Sequence, residues 1–176
     1  MGKQTDRRRF LKTAAAAVAT AQVASDVKAE TREQSMPETT KFEAAPCGLY
    51  CGVCADKVSA KECHGCGCDC GECGGKWHSE HCAIAKCSLE RGLGSCAGCP
   101  DLPCTRLIEF TFDPIWRTHV RCIENLRRRR EIGTAAWLKE QEAFWRDDHA
   151  RAMQLALHDR CAKQAREFQE TGTWTG

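Results

Sequence analysis

Thirteen cysteines fall within the 58 residues from Cys47 to Cys104, and glycines interrupt the densest part of that run. A stretch of this composition has too few aliphatic side chains to hold itself together by apolar burial alone. Cross-links between sulfurs, or metal ions held by thiolates, must take over part of that role. The whole chain has 176 residues and 15 cysteines, so one modest domain is the expectation. An odd number of thiols cannot be consumed entirely by disulfides within one chain. At least one is free, shared with another molecule or metal-bound.

The cysteines come in four groups. CGLYCGVC places Cys47, Cys51 and Cys54 at intervals that let a tight turn direct several sulfurs inward. CHGCGCDCGEC contributes Cys63, Cys66, Cys68, Cys70 and Cys73. Its interspersed glycines, including Gly65, Gly67, Gly71, Gly74 and Gly75, permit dihedrals closed to other residues, which predicts a loop wrapped around an ion or a compact disulfide knot. In HSEHCAIAKCSLERG, His78 and His81 precede Cys82 and Cys87, and a short helix is predicted from near Ser79 to Gly92. SCAGCPDLPC sets Cys96, Cys99 and Cys104 around the stiffening Pro100 and Pro103.

Thiolate-rich sets select zinc, copper(I) or iron–sulfur clusters over magnesium and calcium, which prefer oxygen. For four-coordinate zinc, Cys47, Cys51, Cys54 and Cys66 form the first candidate set. Cys96, Cys99 and Cys104 with Cys82 or Cys87 form the second. Cys63, Cys68, Cys70, Cys73, His78 and His81 are secondary candidates, for metal or, among the thiols, for disulfides. Zinc leads as the cofactor, with an iron–sulfur cluster or copper(I) as alternatives. The C-x3-C-x2-C spacing of Cys47, Cys51 and Cys54 also occurs in radical SAM enzymes, but this chain has neither the length nor the strands of their barrel. A scaffold held only by disulfides is the main structural alternative.

Cys47, Gly48, Leu49, Tyr50, Cys51 and Cys54, then Gly65-Cys66, Cys82, Cys87, Cys96, Cys99, Pro103 and Cys104, together resemble a bacterial and archaeal cysteine-rich family, domain of unknown function 3795. The likeness runs to about Trp145 and takes in Ile132-Gly133 and Trp137-Leu138, which look like that family's distal IGxxxWL element. The cysteine pairs that often follow in relatives are missing. The resemblance implies a metal-binding domain and no particular reaction, while Cys63, Cys68, Cys70 and Cys73 are additions to its pattern.

Ahead of this lies Arg7-Arg8-Arg9-Phe10-Leu11-Lys12, which resembles the twin-arginine export signal RRxFLK, followed by a weakly apolar, alanine-rich stretch over residues 13 to 24. That stretch is too short and too polar to be a stable membrane anchor. Residues 1–29 therefore read as a signal, with cleavage after Ala21 or Ala29. The expected location is the periplasm, and the expected partner is the twin-arginine translocation machinery. Residues 30–45 read as a flexible linker, residues 46–110 as the metal-binding module, residues 111–170 as a helical region and residues 171–176 as a flexible tail.

In the helical region, Asp113 and Pro114 are expected to cap and start a helix that stops at Gly133, with Trp116, Val120 and Ile123 on its apolar face. The arginines at 127–130 read as a solvated or salt-paired face. Residues 134–170 read as one long or two packed helices, their aromatics covering the cysteine module. Cys122 and Cys161 are expected to be small buried side chains. No spacing fixes a catalytic dyad or triad, so no catalytic residue is assigned and an enzyme is not the favoured reading. Formal charge is +2, and without residues 1–21 it becomes 21 basic against 23 acidic residues, which disfavours nucleic-acid binding.

The sequence thus predicts a small, mainly α protein whose irregular cysteine-rich module packs against C-terminal helices. Its expected role is that of an exported metal-binding structural or interaction protein, with an unidentified protein as a further candidate partner. A redox-active or metal-handling protein is the alternative.

Overall fold

A computed structural model of the chain describes residues 42–60, 62–68, 70 and 73–173. The expected export signal, its expected cleavage sites and most of the expected linker lie outside these residues. The described part is mainly helical. Its one extended pairing is an isolated antiparallel bridge between Ala44 and Tyr50. Seven α-helices follow in order: α1 (Ala55–Val58), α2 (Gly74–His81), α3 (Ala83–Glu90), α4 (Thr105–Thr111), α5 (Cys122–Ile132), α6 (Thr134–Phe144) and α7 (Asp148–Thr171). Three single 3₁₀ turns, Cys51–Val53, Cys96–Gly98 and Arg117–His119, stitch them together.

The local chemistry explains most boundaries. Gly133, at φ +81°, ends α5 and at once precedes α6. Asp147 caps α7 by accepting the Ala150 N–H at 2.7 Å, and Gly172 closes it in the left-handed region. The expected helix from Ser79 to Gly92 is instead two helices. Cys82, in an extended conformation, interrupts the helical path between α2 and α3.

The expected start at Asp113-Pro114 is also corrected. Asp113 accepts the N–H groups of Ile115 and Trp116, both at 2.8 Å, as a cap would, but the chain makes only a turn there. His119 in the following 3₁₀ turn stacks between Phe110 (3.9 Å) and Trp116 (5.8 Å), and α5 begins only at Cys122. Its buried face is accordingly Cys122, Asn125, Leu126 and Arg129, while Val120 is exposed.

One core joins the cysteine-rich loops to these helices. Ala45, Cys47, Cys51, Ile84, Ala97, Leu107 and Leu126 form its buried centre. Trp137 on α6 is fully buried, meets Tyr50 edge to face at 6.2 Å, and carries the Arg129 guanidinium 5.2 Å from its ring. Gly48, at φ +93°, lies so close to α5 that a Cβ there would stand 2.5 Å from the Cys122 carbonyl oxygen.

Helix α5 also provides the polar fasteners. Asn125 Nδ2 donates to the Gly48 carbonyl at 2.9 Å, Arg129 to that of Ala45 at 2.7 Å, and Arg130 to those of Ala97 and Cys99. The arginine run is therefore not one solvated face. Arg128 pairs with Glu140 and Glu131 as expected, whereas Arg129 is buried and Arg130 caps loop carbonyls. Cys122 and Cys161 are wholly buried, as expected. Among the described residues, no helix is long and apolar enough to cross a membrane.

Candidate metal centre

The loop before α2 is shaped by backbone contacts. Gly65 and Gly67 adopt φ +108° and +87°. A Cβ at Gly75, in the first turn of α2, would come within 2.1 Å of the Gly65 carbonyl oxygen, so helix and loop touch backbone to backbone. Gly75 is needed for close approach and not, as expected, for an unusual dihedral. Gly67 N–H donates to Ser79 Oγ at 2.7 Å, and that hydroxyl donates to the Gly75 carbonyl at 2.9 Å. Gly74 N–H reaches back to the Glu62 carbonyl at 2.8 Å.

Held this way, the loop converges the sulfurs of Cys68, Cys70 and Cys73. Cys68 Sγ lies 3.0 Å from each of the other two, and Cys70 donates to Cys73 at 2.8 Å. A ring nitrogen of His64 joins them, all four ligand atoms lying within 4.8 Å of one another. These contacts are longer than a disulfide, for which sulfurs stand about 2.05 Å apart, and the three thiols are free. Three thiols and an imidazole are a complete donor set for a tetrahedral thiophilic ion. At a zinc–sulfur distance of about 2.3 Å, tetrahedral sulfurs stand ~3.8 Å apart, so each would move outward by only about half an ångström.

The electrostatics already favour a thiolate. Against a desolvation that raises it, the hydrogen bonds from Cys70 and Cys68, and those of the His64 and Lys76 backbone, bring the Cys73 thiol down to about 6. Cys70, which donates to Cys73 and also bonds Cys68, is pushed up to about 12.

The first candidate set lies elsewhere. Cys47 and Cys51 belong to the buried centre, and Cys66, Cys82, Cys96 and Cys104 pack against it. The Cys47 thiol is raised by its hydrogen bond to Cys122 and by burial. Cys51 and Cys66 are raised by burial and then by neighbouring sulfurs, and burial lifts Cys96 to about 12. Raised in this way, Cys47, Cys51, Cys66 and Cys96 pack as small apolar thiols, and binding a cation would draw their protons off. Cys63 accepts the Gly65 N–H at 3.3 Å, and Cys99 accepts from Arg91 at 3.3 Å, while Cys87 sits half-buried on α3.

His78 and His81 do not join the sulfur triangle. His81 stacks on Trp77 at 4.8 Å and its Nδ1 meets the Trp77 carbonyl at 2.9 Å, while burial holds His78 below the usual imidazole range. A second group gathers Cys54, Asp56 and His158, again with ligand atoms within 4.8 Å of one another.

His64, Asp56 and His158 are the residues to which sequence reasoning assigns no role. His64 carried a signal, standing between Cys63 and Cys66 in the CHGC element. For Asp56 and His158, 102 positions apart, only the packing of α7 brings them together. No family model, curated protein or solved structure matches the chain.

Proposed function

We propose that this is an exported zinc-binding structural or interaction protein, whose metal is held by His64, Cys68, Cys70 and Cys73. The supporting observation is the sulfur triangle with His64 beside it, a closed donor set with a thiolate already favoured at Cys73. A four-ligand site of this kind leaves no position for substrate, which favours a structural role over catalysis. The resemblance carried by Cys47 to Cys104 points the same way, since it too implies metal binding.

A second reading draws on Cys70 and Cys73, which form a C-x2-C pair with one thiol donating to the other at 2.8 Å. In a redox-active protein this pair would close to a disulfide, releasing two electrons to a thiol-oxidising partner and two protons to solvent.

The test is elemental analysis and absorption spectroscopy on the full chain purified without oxygen. Zinc bound in whole-number ratio with no visible band is expected, and Cys70→Ser and Cys73→Ser are each expected to lose one equivalent. Chelation should then loosen the fold. Iron with acid-labile sulfide, or a metal-free protein with Cys70 and Cys73 oxidised, would overturn the zinc assignment, the latter in favour of the redox reading.

A further inference from the structure

The group on α1 and α7 stands apart from the sulfur triangle. Cys54 is the residue preceding α1, Asp56 lies in its first turn, and His158 projects from the middle of α7. The His158 side chain is 14% exposed and that of Asp56 48%, so a largely covered imidazole faces a carboxylate open to solvent on one side. Nε2 of His158 stands 3.9 Å from Asp56 Oδ2. That is too long for a hydrogen bond, yet short enough for both atoms to flank one ion.

The ring is held in this position by packing. Trp116 lies against it at 5.6 Å, and Arg117 fixes α7 by donating to Gln164 at 2.7 Å. His158 Nδ1 is buried without a hydrogen-bond partner, so no hydrogen bond at that nitrogen turns the ring elsewhere.

We infer that Cys54, Asp56 and His158 form a second site, for a divalent ion of the zinc class, that ties α7 to α1. One sulfur, one nitrogen and one oxygen suit zinc or cobalt(II) better than magnesium or calcium. On binding, the Cys54 thiol loses its proton to solvent, Asp56 binds as the carboxylate and His158 as the neutral ring. Three protein ligands leave a fourth position for water or an exchangeable ligand, unlike the closed set at His64. The inference uses none of the residues of the first site and stands whether or not that site holds zinc.

The experiment is cobalt(II) titration of the reduced full chain, followed through the sulfur-to-cobalt charge-transfer band, in four proteins. These are the wild type, Asp56→Asn, His158→Gln and Cys70→Ser. Asp56 is half-exposed, so its amide variant keeps the fold, as far-ultraviolet circular dichroism of the metal-free protein will confirm. Relative to wild type, Asp56→Asn and His158→Gln are each expected to weaken one cobalt equivalent at least tenfold. That same equivalent should persist in Cys70→Ser. If Asp56→Asn, folded as wild type, binds cobalt with unchanged stoichiometry, affinity and spectrum, the group is a histidine–carboxylate contact only and the inference fails. Loss of an equivalent in Cys70→Ser alone would support the first site while refuting this one.

Discussion

His119 shows how much a single side chain can decide. Burial, as the main cause, holds its imidazole down at about 4, well below the ordinary histidine value, as it stacks on Phe110 and Trp116. The folded chain therefore resists a proton that the unfolded chain accepts. Between about pH 6.5 and 4 the unfolded state binds more protons, so stability is fully present above that window and falls as pH drops through it. The loss is bounded at about 3–4 kcal/mol, and is less because the ring is only partly enclosed. His119→Phe keeps the stack and is expected to flatten this part of the profile, measured as urea midpoints at pH 7 and pH 5. An unchanged slope would mean the ring is not the group that titrates. Gly48 and Gly75 illustrate what one-dimensional reading misses at this scale. The sequence marks Gly75 as a permissive position and Gly48 as part of the CGLYC element, but the crowding against Gly65 and Cys122 that fixes them exists only after α2 and α5 have docked.

Among the elements, α5 bears the most traffic. Its leucine is buried, and its Asn125, Arg129 and Arg130 supply donors to loop carbonyls that have no sheet or helix to satisfy them. Asn125→Ala would leave the Gly48 carbonyl without this donor in a buried setting, at an expected cost of about 1–3 kcal/mol in urea denaturation. Arg127→Ala, at an exposed position, is the control and should change stability by less than about 0.5 kcal/mol. Equal effects in the two variants would remove α5 as the fastener. Much at this scale was legible beforehand. Gly133 as a stop and helix after it follow from local chemistry, which left one long helix or two open, and the glycine-broken loop follows from composition. The start of α5 was not legible, because Asp113 and Pro114 have the chemistry of a helix start in either case, and the outcome turns on the aromatic packing of His119. Nor was the division of the arginine run legible, since charge pattern alone cannot tell an arginine that meets Glu140 from one that meets the Ala97 carbonyl.

For the whole molecule, the mainly α architecture was readable from the periodic C-terminal third and the absence of strand patterns, whereas the candidate metal site was only half readable. Composition located thiol chemistry between Cys47 and Cys104. It did not rank the loop thiols Cys68, Cys70 and Cys73 above the regular C-x2-C spacings, because glycine geometry and the dock onto α2 bring their sulfurs together. The export reading belongs to this scale as well. A twin-arginine route carries folded protein, so metal would be inserted in the reducing cytoplasm before any oxidising compartment is met. Replacing Arg7 and Arg8 by lysine together is expected to hold the full chain in the cytoplasmic fraction of a bacterial host, with the precursor mass retained. Undiminished periplasmic protein would sink that reading. The bonds from α5 to the carbonyls of Ala45, Gly48, Ala97 and Cys99 carry one more consequence, for how such a protein can be cut or inherited. A fragment ending at residue 110 would keep every clustered thiol and the contacts between α2 and the loop before it, but lose the donors that hold the loops around Cys47 and Cys99. The transferable unit is thus the cysteine loops with their helical brace, and shuffling the thiol segment alone into another chain would deliver the thiols without the donors that hold the loops around Cys47 and Cys99.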